Sequence, residues 1–353
     1  VSDAALRELP IEPAALGLGP DDAEPAVRLG RPCLRFADAF HSPLVPDLDL
    51  RDGTIEVDLL VPAARSFHGL QWHVRDADAE TFFLRPHQVG NPDAIQYTPV
   101  SHGISSWQLY HGEGFWAPIT FPIGSWLTLR IAFAGERAEA YVADLERPAL
   151  SIGPLRHGAV GGGVGLLVGG PGLHVARLAW SPEAPPFVAP APAAAPIHAG
   201  VIRSWDVSDA FEEAAVAAAD RLPGALAAAR SWTPLRAEPS GLADLARVNG
   251  IDGSRNTVLC RTVVDAPAAI VRPLELGFSD RASVFLNGRR LFRADDAYRV
   301  RDYRFLGSIG YWYTLDLPLR AGANEFVVAV SEDFGGWGVM ARFADVPTAS
   351  GRT

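Results

Sequence analysis

The plainest alternation of apolar and polar positions is Thr54-Ile-Glu-Val-Asp-Leu-Leu-Val61, where Glu56 and Asp58 separate Ile55, Val57 and Leu59. A period of two with charge on one side marks a strand that buries one face and wets the other. Shorter runs of strand-forming residues follow at 69–75, 80–85, 94–98, 106–111, 126–134, 137–143, 163–168 and 173–180, separated by turn-forming residues. Gly135-Glu136, between two of them, predicts a tight two-residue hairpin turn. A second series occupies 257–264, 268–276, 281–286, 289–292, 311–317, 324–331 and 338–343, with Asn287-Gly288 as its strongest hairpin signal. Helical spacing is confined to 209–222, an alanine-rich stretch in which Asp209 precedes Glu212 by three residues, a capping-box arrangement that predicts one short helix.

Between the two series lies Ser181-Pro-Glu-Ala-Pro-Pro-Phe-Val-Ala-Pro-Ala-Pro-Ala-Ala-Ala-Pro196. Its prolines cannot donate to a strand ladder and favour an extended, stiff connector. The pattern therefore predicts an all-β chain of two β-sandwich (jelly-roll) domains. An irregular lead-in covers 1–31, a first sandwich 32–182, an Ala/Pro linker 183–196, and a second sandwich with the short helix 197–353. A chain of 353 residues with 48% apolar residues is long and hydrophobic enough for two such cores.

Charge and composition narrow the partners. The net charge of −10, with basic residues scattered along the chain, disfavours nucleic acid. All the basic residues are arginines, whose planar guanidinium suits carboxylates and buried pairs; codon bias toward arginine in a GC-rich genome explains the same composition. Cys33 and Cys260 fall in different predicted domains without metal-ligand spacing, so free buried thiols are expected, with a single interdomain bridge as the alternative. No apolar run reaches the ~20 residues of a membrane span. The chain starts at Val1, as after removal of a secretory signal or trimming of the chain. A periplasmic or secreted location is the expectation, the cytoplasm the alternative.

Three blocks of the first series, Phe82-Phe-Leu-Arg-Pro-His87, Pro92-Asp-Ala-Ile-Gln-Tyr-Thr-Pro99 and Ser106-Trp-Gln-Leu-Tyr-His111, together with the strand order, resemble the concanavalin A-like lectin and laminin-G-type sandwiches. In the second series, Ala282-Ser-Val-Phe-Leu-Asn-Gly288, Leu317-Pro-Leu-Arg-Ala-Gly-Ala-Asn-Glu325 and Gly335-Gly-Trp-Gly338 resemble the galactose-binding-like jelly rolls, including the sugar-binding modules of glycoside hydrolases. The first resemblance implies a carbohydrate-recognising sandwich. The second implies an ancillary module, since the catalytic barrel of those enzymes has no counterpart here. Glycosidases sharing the first fold carry acidic residues at alternate positions of one strand, and no E-x-D-x-E run occurs here.

The densest polar-aromatic stretch runs from Arg85 to Trp116. Arg85, His87, Gln96, Tyr97, Trp107, Tyr110, His111 and Trp116 are the expected ligand contacts, with rings to stack on sugar faces and polar groups to bind hydroxyls. The competing reading places Trp107 and Tyr110 in the core or rim and pairs Arg85 with a carboxylate. The expected function is binding or ancillary recognition of a poly- or oligosaccharide. The alternatives are a glycan-active hydrolase or lyase using His87, Asp93, His111 or Glu113 as acid and base, and a structural or adhesion module without a small ligand. Arg301, Asp302, Tyr303, Arg304, Glu332, Asp333 and Trp337 form a second polar group, either another site or a domain interface.

No cofactor is expected. No H-x-x-x-H helix or D-x-D-x-D-G loop is present, and a structural calcium ion held by loop oxygens is the one metal left open. The glycine-rich stretch 161–172 reads as structural rather than as a phosphate cradle. No G-x-S-x-G elbow is present, and neither cysteine has an acid-base signature of nucleophilic catalysis.

Overall fold

The structure is a computed structural model, and it describes residues 6–193, 197–300 and 307–344. The chain divides into two compact units, residues 1–100 with 110–193, and residues 101–109 with 194–353. Residues 101–109, expected in the first sandwich, thus belong to the second unit.

The first unit contains β1 (Arg7–Glu8), β2 (Ala23–Arg28), β3 (Arg31–Phe36), β4 (Ala39–His41), β5 (Leu44–Leu50), β6 (Gly53–Leu60), β7 (Phe67–Arg75), β8 (Asp78–Leu84) and β9 (Ile95–Ser101). After β10 (Ile104–Ser105), which falls within the 101–109 segment, it continues with β11 (Trp116–Ala117), β12 (Trp126–Ala134), β13 (Arg137–Val142), β14 (Leu150–Ile152), β15 (Gly162–Gly170) and β16 (His174–Ser181). One antiparallel sheet has the order β14-β13-β12-β6-β16-β3-β2, with β1 on β16. The other runs β9-β8-β7-β15-β4, with β11 on β9 and β5 on β15.

Alternation places the core between the sheets. Ile55, Val57 and Leu59 of β6 and Leu129, Ile131 and Phe133 of β12 meet Leu70, Trp72, Phe82, Leu84, Ile95 and Tyr97 from the other sheet, all fully or almost fully buried. A buried aliphatic or aromatic side chain of this kind contributes roughly 1.5–3 kcal/mol.

The glycines of β15 are there for close packing. A Cβ at Gly165 would stand 2.0 Å from the Pro43 carbonyl oxygen, and one at Gly162 would stand 2.5 Å from the His73 carbonyl carbon. The structural reading of this stretch holds, although its glycines form the strand itself.

Several local expectations are corrected. The lead-in over 1–31 contains β2, which pairs with β3 from Ala23↔Phe36 to Arg28↔Arg31; Pro25 broke the pattern in sequence, but a proline is tolerated on an edge strand. The strand expected at 106–111 is a turn in which Leu109 N–H donates to the Ser106 carbonyl at 3.0 Å. The single helix expected over 209–222 is replaced by β18 (Phe211–Glu212) and two short helices, α1 (Ala214–Ala217) and α2 (Gly224–Ala228). The capping box fails because its carboxylates are engaged elsewhere: Asp209 accepts from Ser231 N–H at 2.7 Å and pairs with Arg230, and Glu212 accepts from the Ser254 hydroxyl. Pro223 then separates the two helices.

The remaining strands of the second unit are β17 (Ser204–Ser208), β19 (Trp232–Arg236), β20 (Leu242–Asp244), β21 (Arg255–Ala266), β22 (Ile270–Ser279), β23 (Arg281–Leu286), β24 (Arg289–Asp295), β25 (Tyr313–Leu319), β26 (Gly322–Ser331) and β27 (Gly338–Phe343). They form one sheet ordered β19-β17-β21-β26-β23-β24, with β18 on β21, and another ordered β20-β27-β22-β25. Inner-facing Val258, Phe278, Phe326, Val328 and Trp337 fill the core. Leu259, Phe285 and Val327, on the opposite face of the larger sheet, pack with Val216 of α1 and Leu226 of α2. Asn287 and Gly288 turn the expected hairpin, both with positive φ, 51° and 77°. Cys33 and Cys260 are free and buried. Among the described residues no helix is long and apolar enough to cross a membrane.

Candidate functional site

The outer face of the β9-β8-β7-β15-β4 sheet gathers most of the expected first-unit residues that do not enter the core. Register aligns Phe40 and Phe67 on either side of Gly169, Phe83 with Gln96, and Gln96 with Trp116. Paired residues project to the same side of a sheet, so these side chains share the face away from Trp72, Phe82 and Tyr97.

Beneath this face lies a buried polar layer. Arg85 donates to the Asp93 carbonyl at 2.9 Å and to the Gln96 side-chain oxygen, and its guanidinium lies 3.8 Å from the Asp93 carboxylate. Gln96 in turn donates to the Tyr110 carbonyl at 2.6 Å. The Arg85 Cζ is 4.9 Å from the Phe83 ring centre and 5.8 Å from that of Phe67. Burial pulls the Arg85 guanidinium down to about 10, against the opposing pull of Asp93. Arg85 and Gln96 therefore brace the face from below; both are buried.

The rings above are more accessible. Phe40 is 76% exposed and lies 6.5 Å from Phe67. His87, in the short 3-10 turn Pro86–Gln88, meets Phe67 edge-on at 5.4 Å, and its Nδ1 is buried without a hydrogen-bond partner. Burial lowers the affinity of His87 for a proton, and Arg65 and Arg85 lower it further. Further along the face, His111 and Trp116 are half-buried, with ring centres 5.5 Å apart.

Other expected residues lie elsewhere. Tyr97 faces the core, stacks on Phe115 at 6.2 Å and donates its hydroxyl to buried Glu80 at 2.6 Å. Tyr110 is buried against Phe115 at 5.3 Å. These two rings are scaffold and offer no stacking face. Trp107 belongs to the second unit, where it meets Tyr298 at 5.9 Å and Phe334 at 5.7 Å. Of the candidate acids and bases, Asp93 pairs with Arg85, and Glu113 is exposed.

In the second polar group, Trp337 is a core residue donating its indole N–H to the Val330 carbonyl at 3.0 Å. Glu332 is buried, and Asp333 pairs with Arg281 at 2.6 Å. Arg301, Asp302, Tyr303 and Arg304 lie outside the described residues. Among the described residues, no group of three or more His, Cys, Asp or Glu side chains is disposed to hold a metal ion.

Sequence reading missed Phe40, Arg65 and Phe67. The usable signal was the alternation Phe67-His68-Gly69-Leu70-Gln71-Trp72, which begins two residues before the expected strand.

No family model and no curated protein matches the chain. Solved structures similar to it include the carbohydrate-binding module CBM66 from Bacillus subtilis, at 14% identity over 48% of this chain and 94% of that one, TM-score 0.34. The galectin LEC-6 of Caenorhabditis elegans is similar at 17% identity over 41% of this chain and 95% of that one, TM-score 0.28. The GH43 protein BlXynB from Bacillus licheniformis is similar at 13% identity over 44% of this chain and 34% of that one, TM-score 0.31.

Proposed function

We propose that the first unit is a carbohydrate-binding module that takes a poly- or oligosaccharide across the outer face of its β9-β8-β7-β15-β4 sheet. The supporting observation is the half-buried Trp116–His111 pair, on the same face as Phe40 and Phe67 and above the Arg85–Gln96 layer. Sugar rings present apolar C–H faces rimmed by hydroxyls. Partly exposed rings beside imidazole nitrogens on a rigid sheet complement both features without costly ordering on binding.

Trp116→Ala is expected to weaken saccharide binding by about 2 kcal/mol, roughly thirtyfold in Kd, the loss typical of an aromatic anchor. Thermal unfolding should stay close to wild type. A glycan array followed by titration calorimetry of the hits checks this, and a reducing-end release assay on the same glycans reads any hydrolysis. Unchanged affinity in Trp116→Ala and His111→Ala would remove the platform from the site.

A further inference from the structure

We infer that the loop end of the second jelly roll is a peptide-binding groove whose occupant is built into the chain, the segment 101–109. Without that segment the contiguous stretch from residue 194 onward is an incomplete domain.

The second unit consists of residues 101–109 and 194–353, so a short piece of it comes from far earlier in the chain. The fit is made by missing side chains. A Cβ on Gly335 would stand 2.0 Å from Gln108 Oε1, and one on Gly307 would stand 2.1 Å from Gln108 Nε2. A Cβ on Gly336 would stand 2.8 Å from Leu109 Cγ, and one on Gly338 would stand 2.7 Å from Leu109 Cδ2. Gly307, Gly335 and Gly336 have positive φ, 75°, 111° and 135°, which by itself favours glycine. Gly338 instead opens strand β27, where a glycine weakens the strand unless another group needs the space. The groups that need it are Leu109 and, at 3.2 Å, Leu242.

Hydrogen bonds fix the register of the segment in the groove. Gln108 N–H donates to the Gly335 carbonyl at 2.8 Å, and Ile309 N–H donates to the Gln108 carbonyl at 3.0 Å, so one residue joins both loops that line the groove. The Ser106 hydroxyl donates to the Asp244 carboxylate at 3.4 Å, and His102 Nδ1 lies 2.7 Å from the Ala246 carbonyl. Ser106, Gln108 and Leu109 are buried, and Trp107 meets Tyr298 and Phe334 edge-on. Main-chain pairing at the centre, with side chains in fitted spaces, is how folded domains hold peptides. Attachment at both ends keeps the segment at roughly millimolar effective concentration or higher, so the groove stays filled even where free peptide binds weakly.

The test uses full-length variants read by hydrogen exchange. Leu109→Asp places a charge in a buried apolar position and should release the segment. Protection at 307–309 and 335–338 should fall by about tenfold or more, the scale of one lost apolar anchor, with β21 and β26 as protected as in wild type. A labelled synthetic peptide of residues 101–109 should bind this variant saturably and restore the lost protection. It should not bind the wild-type chain, whose groove is filled. Gly338→Ala narrows the groove from the other side and should give a similar loss, smaller when combined with Leu109→Ala, because the shorter side chain makes room for the new Cβ.

Unchanged protection at both loops in Leu109→Asp and Gly338→Ala would overturn the groove assignment. A released segment with no uptake of the peptide would overturn it as well. If Leu109→Asp unfolds the unit as a whole, Gly338→Ala decides. A loss confined to the two loops and relieved by Leu109→Ala supports the groove; a loss that spreads over β21 and β26, or that Leu109→Ala does not relieve, makes 101–109 ordinary core and overturns it.

Discussion

Acidification from pH 7 to pH 4.5 is expected to loosen the first unit while tightening the 332–337 loop of the second. His68 drives the first change. Its imidazole is fully buried, with Nε2 3.4 Å from the Pro171 carbonyl and Nδ1 accepting from Gly169 N–H at 3.4 Å. This is the neutral ring, and a proton added at Nδ1 would face an N–H donor. Burial pulls His68 down to about 4. The unfolded chain binds that proton near 6.5. A depressed base contributes stability that is present above the unfolded value and lost as pH falls through the folded one, here about 3 kcal/mol by pH 4. Burial moves His73 in the same direction.

In the second unit the sign reverses. Asp280 accepts the N–H groups of Asp333 at 2.9 Å and Phe334 at 3.1 Å, and Glu332 accepts that of Gly336 at 2.8 Å. The other Glu332 oxygen is buried without a partner. Burial pushes both carboxyls up, Asp280 raises Glu332 further, and the Asp333 charge raises both; Asp280 reaches about 6. A raised acid contributes stability that is complete below the unfolded value, near 4, and is lost as pH rises through the folded one.

Hydrogen exchange of the intact chain, corrected for intrinsic rates, reads both units at once. Protection of β7 and β15 should fall between pH 7 and 4.5. Protection of 332–337 should fall between pH 5 and 8. Glu332→Gln keeps the acceptor for Gly336 without the charge, so it should abolish most of the second change and none of the first. Parallel loss of protection in both units on acidification, or a Glu332→Gln profile identical to wild type, would refute the assignment.

The fold was legible wherever alternation continued long enough to specify a face. Ile55, Val57 and Leu59 read as a buried stripe and are one. The 106–111 segment did not, because Trp107 and Leu109 alternate with polar residues as well in a turn as in a strand. The candidate site was legible in composition but not in facing. Gln96 and Tyr97 are adjacent, and pairing register alone sends the first outward and the second into the core; a shift of one residue would exchange them. Tyr110 lies in a bend and is buried against Phe115, so no alternation marked it as different from Trp116. Phe40 was invisible for another reason: it joins the platform through its pairing across Gly169, a residue far away in the chain. Long-range register is what the sequence does not print.

The connector offers the second large effect. Alanine and proline predicted an extended, stiff connector, and its first part is tied to the first unit by one buried carboxylate. Glu139, on the outer face of β13, accepts from Val188 N–H at 3.0 Å, Ala189 N–H at 2.7 Å and the Tyr141 hydroxyl at 2.5 Å. Arg137 donates to the Ala189 carbonyl at 3.1 Å and lies 4.4 Å over the Phe187 ring, and Ser151 donates to the Pro190 carbonyl at 3.2 Å. Val188 is 63% exposed, so a protease that cuts after small aliphatic residues can reach its side chain but not pull its backbone into an active site. Cleavage of the Val188–Ala189 bond must wait for local opening. Removing the carboxylate leaves two backbone N–H groups to water and should lower the cost of opening by about 2–3 kcal/mol. Glu139→Ala is therefore expected to speed elastase cleavage at Val188–Ala189 roughly 30- to 150-fold. Tyr141→Phe, which leaves both N–H acceptors in place, should change the rate far less. Mass spectrometry of early digestion products locates the cut and gives its rate. Rapid cleavage at this bond in the wild-type chain, or equal rates in wild type and Glu139→Ala, would show that Glu139 does not hold the strap.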